Sequence, residues 1–195
     1  MSSPLLRLPL FLVLCGIVAC QSPHHTTPPA PRGNSTPPHR KVDLATRNNA
    51  FALLRDLLND EKNLSKVLLI KFESPDVDRL VTKISRTADD GAKLLETVSK
   101  SDSALAAAKL DLPPGEAATR EAIAQFKKHQ LLQTKRKEFE FELLLTQVQA
   151  LNYGAQLASV LASNEPQPER AREFSNLSVQ LKRLYGEVTA LVRTK

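Results

Sequence analysis

From Asp43 onward, apolar side chains recur every three or four positions, the spacing that lines one face of an α-helix. Four helical segments are predicted. Asp43 is suited to cap the first, whose stripe runs through Leu44, Phe51, Leu54, Leu58, Leu68 and Phe72, with Asn59 and Asp60 as a place for a kink. Ser74, Pro75, Asp76 and Asp78 announce the second: a capping hydroxyl, a proline at the first helical position, where its missing N–H costs nothing, and two acids at the positive end of the dipole. Its face is Leu80, Ile84, Ala88, Gly91, Leu95, Val98 and Leu105, and Gly91 is expected to let a neighbouring helix approach closely.

Leu112-Pro113-Pro114-Gly115 must end that helix, because consecutive prolines remove backbone donors and clash with the preceding turn. The third is predicted from Glu116 to Ser163 with Ile123, Phe126, Phe141, Leu144, Val148, Leu151, Ala155 and Ala158 inward. It is much longer than the others, so a bend or a projecting end is expected near the polar stretch Lys127 to Lys137. Asn164-Glu165-Pro166-Gln167-Pro168 is the last break, and Ala171, Phe174, Leu177, Leu181, Leu184, Val188 and Leu191 mark the fourth helix. No run shows strand alternation bounded by hairpin turns. Short breaks between amphipathic segments favour antiparallel neighbours, so residues 43–195 are expected to form an all-α, up-down-up-down four-helix bundle.

The first forty-two residues follow other rules. Leu8 to Val18 is an apolar run of eleven residues behind Arg7, too short for a membrane-crossing helix, which needs about 20, and suited to the hydrophobic part of an export signal. Residues 20–42 contain Pro23, Pro28, Pro29, Pro31, Pro37 and Pro38 with Ser, Thr and His and almost no aliphatic side chain. Such a segment buries too little apolar surface to offset its ordering entropy, so a disordered or polyproline-like tether is expected, reaching roughly 60 Å if extended.

Composition narrows the class further. The chain has 195 residues, 25% of them charged, with 27 Lys plus Arg against 21 Asp plus Glu. Arg7, Arg32 and Arg40 are the only charges in the first forty residues, which leaves 24 cations against 21 acids in the rest. That near balance is not the footprint of a nucleic-acid binder, and no nucleic-acid partner is expected.

Little in the helical part is equipped for chemistry. His129 is its single histidine, with Phe126 three residues before it and Leu132 three after, so the Glu-x-x-His pairs of di-iron bundles are missing. Asp60-Glu61 and Asp89-Asp90 are adjacent pairs whose side chains diverge on a helix. No phosphate-binding glycine loop, nucleophile elbow or His-Glu-x-x-His motif is present. Neither a catalytic residue nor a cofactor nor a metal is therefore assigned. His24, His25 and His39 lie in the tether and read as solvated linker residues. The densest basic region is Lys127, Lys128, Lys135, Arg136 and Lys137, a candidate contact surface for a partner, with Arg136 and Glu140 spaced for an i, i+4 ion pair.

Ile17-Val18-Ala19-Cys20 resembles the lipobox of bacterial lipoproteins, an aliphatic residue, a tolerant position, a small residue and a cysteine. The resemblance implies removal of residues 1–19, a diacylglycerol thioether and usually an acylated amine on Cys20, and a membrane as partner through that anchor. Cys15 does not fit because Leu14 precedes it. An ordinary secretory signal cut at Ala19 is the other reading. Gln21 stands where an Asp would resemble an enterobacterial inner-membrane retention signal, so the outer membrane facing the periplasm is implied. Cleavage would leave Cys20 as the single cysteine, excluding an intramolecular disulfide.

The Leu112-Pro113-Pro114 break between long helices is distantly similar to exported bacterial helical-bundle proteins of unknown function with a ferritin-like arrangement, and no functional residue is carried over. Two function classes result. One is a non-enzymatic envelope adaptor, scaffold or assembly factor contacting another envelope protein or peptidoglycan. The other is a bundle binding a small ligand or metal in its core, which needs a buried polar cluster near His129, Gln130, Gln147 and Asn152.

Overall fold

The computed structural model describes residues 42–68, 74–109 and 112–195, and every regular element among them is an α-helix. They are α1 (Leu44–Glu61), α2 (Ser65–Leu68), α3 (Pro75–Ser101), α4 (Ser103–Ala106), α5 (Pro114–Gln133), α6 (Arg136–Asn164) and α7 (Pro168–Val192). The export signal, Cys20 and the tether lie outside the described residues, as does Phe72 of the expected first stripe.

Local chemistry explains where the helices begin. Asp43 caps α1 by accepting from Ala45 N at 3.0 Å and Thr46 N at 3.1 Å. Pro75 occupies the first turn of α3, followed by Asp76 and Asp78. The Ser74 side chain does not cap that helix; its hydroxyl turns to Glu140 Oε2 at 3.2 Å, on α6.

Three expected helices are broken; the second ends at Ser101, where Asp102 turns to extended backbone and caps the short α4 that carries Leu105. The first stops at Glu61, where two acids face the negative end of the dipole and Asn63 Nδ2 donates to Asn59 O at 2.9 Å. The span from Glu116 to Ser163 is two helices and not one. Thr134 and Lys135 adopt extended backbone, the Thr134 hydroxyl donates back to Gln130 O, and the helix restarts with Phe139 N donating to Lys135 O at 2.7 Å. Because α6 starts afresh, the apolar phase carried over from α5 is lost. Phe126 and Phe141, expected inside, are 67% and 39% exposed, while Phe139, Leu143 and Leu144 are buried.

Four long helices share the core. α1 packs on α3 and α6, and α7 packs on α6 and α3. Phe51, Leu54, Leu58, Ile84, Leu95, Leu144, Leu161 and Phe174 are fully buried among them, each contributing roughly 1.5–3 kcal/mol by leaving water. Gly91 lets α3 pack tightly on its neighbours: an added Cβ would stand 3.0 Å from Leu58 Cδ1 and 3.1 Å from Leu177 Cδ1.

The polar contacts at the two ends fix the helix directions. Asp43 N donates to Asn164 Oδ1, and Asp102 pairs with Arg47 and Arg170, so the starts of α1 and α7 meet the ends of α3 and α6. At the opposite end Glu140, near the start of α6, holds Ser74 before α3 and Lys195 after α7. The order is therefore up, down, down, up, which corrects the expected up-down-up-down arrangement. The chain leaves α3 at one end and must begin α6 at the other. α5 makes that crossing: its 20 residues span about 30 Å along the outside of α6.

Candidate functional site

The basic residues singled out from the sequence gather around the corner between α5 and α6 but do not make one free cationic face. Lys127 is half-buried and pairs with Glu142 of α6 at 3.7 Å. Lys135 and Lys137 are exposed, and the side chains of Lys128 and Arg136 lie outside the described residues. Both oxygens of Glu140 are engaged away from its own helix, Oε1 by Ser74 N at 2.5 Å and Oε2 by the Ser74 hydroxyl and the Lys195 ammonium. Burial alone would raise the Glu140 carboxyl, but Lys195 and the Ser74 donors outweigh it and hold its pKa below the usual range.

An open cavity of about 1080 Å³ lies at this corner, bordered by Ser74, Gln130, Thr134, Lys137, Glu140, Phe141 and Lys195. Above it α5 is lightly held. Its ties include Lys127 to Glu142 and Arg120, which pairs with Glu116 at 2.6 Å and bears on Tyr153 of α6. None of the described side chains of α5 is fully buried, and Phe126 points its ring to solvent.

The residues proposed for a core ligand separate. His129 is exposed, next to Gln133 at 3.1 Å, and Asn152 is exposed as well. Gln130 is half-buried at the cavity, while Gln147 is fully buried in α6. Gln147 lies beside Glu61 of α1, close enough to act on its carboxyl, though neither amide atom of Gln147 nor Glu61 Oε2 makes a hydrogen bond within the protein. Burial pushes Glu61 up to about 7, and the Gln147 amide draws it only partly back. Asp60 is pushed up to about 8 by burial and by the nearby acids Glu61 and Asp56. Among the described residues no three His, Cys, Asp or Glu side chains are grouped to hold a metal ion, and no helix is long and apolar enough to cross a membrane.

A second polar cluster, unanticipated from the sequence, closes the other end. Arg47 Nη1 stands 3.3 Å from Asp102 Oδ2 and 3.5 Å from Glu165 Oε2, while Arg170 reaches Asp102 at 3.0 Å and Glu165 at 3.5 Å. Two cations and two carboxylates thus tie together the termini of α1, α3, α6 and α7. A signal was present. Arg47 precedes Phe51 by four, Arg170 precedes Phe174 by four, and Asp102 follows Val98 by four, so each charge continues an apolar stripe. Its charges are paired with one another, although Glu165 Oε2 makes no hydrogen bond, and its role is to hold the helix ends together.

No family model matches the chain, and no curated protein or solved structure is significantly similar to it.

Proposed function

We propose that this chain is a lipid-anchored protein of the bacterial envelope, held off the membrane by its Pro-rich tether, whose helical domain is a non-enzymatic adaptor, with α5 as its contact element. The domain is regarded as a four-helix bundle of α1, α3, α6 and α7 with α5 as an outer crossover. The observation that carries the adaptor reading is Phe126, 67% exposed on a helix that the domain covers on one side only. A large aromatic left in water beside cationic side chains suits burial against a second surface. The lipobox-like residues Ile17 to Cys20 support the anchor, and Gln21 supports the outer membrane facing the periplasm.

The test is a photocrosslinking residue placed at Phe126 in intact cells, with Val179 on α7, 65% exposed, as the comparison position. Crosslinked partners concentrated at position 126 are expected. Equal recovery at both positions, or none at 126, would refute α5 as the contact element.

A further inference from the structure

Glu61 is the last residue of α1, and three helices meet at its backbone and side chain. Its carbonyl accepts from the Ser85 hydroxyl of α3 at 3.3 Å, and that hydroxyl in turn accepts from Ser65 N at the start of α2, at 2.9 Å. Its carboxyl enters the core towards Gln147 of α6. Three buried atoms there have no partner within the protein: Glu61 Oε2, Gln147 Oε1 and Gln147 Nε2.

The protonation state decides whether those three atoms can be satisfied together. An ionised carboxylate is an acceptor only; it can take the Gln147 N–H but offers nothing to Gln147 Oε1. A neutral carboxyl can donate its O–H to Gln147 Oε1 while accepting from Nε2, a two-bond pairing that leaves none of the three stranded. Among the described residues the charged form also has no compensating cation. On its own helix its charged neighbour is Asp60, another acid, which in turn feels Asp56; α3 presents Ser85 and α6 presents Gln147, neither of them charged. The two described lysines that follow it in sequence are engaged elsewhere: Lys62 Nζ donates to Asn59 at 2.8 Å and lends its charge to Asp89 and Glu96, and Lys66 Nζ donates to Asn63 at 2.6 Å. An unpaired charge at the buried, negative end of a helix is strongly disfavoured.

We infer that Glu61 and Gln147 form a proton-operated latch, closed when Glu61 is neutral and released when it ionises, so that the end of α1 and the adjoining α2 loosen while the rest of the core stays packed. The position of the Glu61 carboxyl, raised by burial to about 7, puts this release near neutral pH.

Hydrogen exchange of the full chain in neutral detergent, expressed as protection factors so that intrinsic rates cancel, tests the latch. Between about pH 6 and about pH 8.5, protection over residues 57–66 should fall about tenfold or more, while that over residues 174–188 in α7 changes less than about threefold. Glu61→Gln keeps an amide opposite Gln147 and has no proton to lose, so its protection over 57–66 should be flat with pH. Asp60→Asn should retain the fall. A wild-type segment indifferent to pH, a fall that persists in Glu61→Gln, or one abolished by Asp60→Asn overturns the proposal. Should Glu61→Gln fail to fold, carboxyl-carbon NMR of Glu61 in the wild type decides: a midpoint near 7 supports the latch, and one near the ordinary 4.5 overturns it.

Discussion

Arg47 and Asp102 stand 3.3 Å apart although 55 positions separate them in sequence, and their contact joins the start of α1 to the end of α3. Asp102 does more than neutralise. It caps α4 through Ala104 N and Leu105 N and also holds Arg170 at 3.0 Å. Asp102→Ala should therefore cost about 3 kcal/mol or more, because two guanidinium groups would remain buried with Glu165 alone. Chemical denaturation of the full chain measures it, and a loss below about 1 kcal/mol would show that the network adds little.

Stability should fall as pH rises from about 4.5 to 7. Glu61 has a folded pKa of about 7 against an ordinary 4.5, so the folded state holds its proton more tightly than the unfolded state. The resulting contribution is fully present below 4.5, and about 3 kcal/mol of it is lost as pH passes through 7. Asp60 acts in the same direction up to about 8. Asp102 and Glu140 act oppositely, being held below their ordinary values of 3.8 and 4.5, so their contribution is lost as pH falls through the lowered values. A denaturation series should find its maximum between about pH 4 and 6; a stability that climbs from pH 5 to 8 would contradict the assignment.

Glycines in one fold should answer differently to alanine. Nothing lies within 4 Å of a Cβ added at Gly186, so Gly186→Ala should stabilise by about 0.5–1 kcal/mol through helix propensity. A Cβ at Gly154 would come 2.9 Å from Leu57 Cδ2, forcing that side chain to move. Gly154→Ala should forfeit the gain and come out below Gly186→Ala by about 1 kcal/mol or more. Thermal unfolding of the two variants side by side provides the comparison, and equal stabilisation would disprove the close approach.

Cys20→Ala should abolish palmitate labelling and leave the protein released or stalled before processing. The residues around Cys20 resemble the lipobox, and cleavage would leave no other cysteine in the chain. Labelling unchanged by the substitution would place the lipid elsewhere and refute the lipobox reading.

Much of this protein is determined by sequence alone, because the signals involved are local. The helical class follows from spacing, the cap at Asp43 from one carboxylate meeting the next amides, and the stripe from Leu80 to Val98 from a period that any helix of that sequence must present. The interruption at Thr134 and Lys135 was foreshadowed as a bend, but its effect on phase was not: once the backbone straightens there, the burial of residue 139 over 141 depends on which neighbours α6 meets. Direction was likewise decided in three dimensions. The local pattern cannot distinguish a chain that turns back at Pro113 from one that crosses the domain, and only contacts such as Glu140 with Ser74 reveal the crossing. The same holds for Glu61. Its sequence neighbours make it an ordinary surface acid beside Asp60, and only the arrival of α6 removes its water and sets Gln147 beside it.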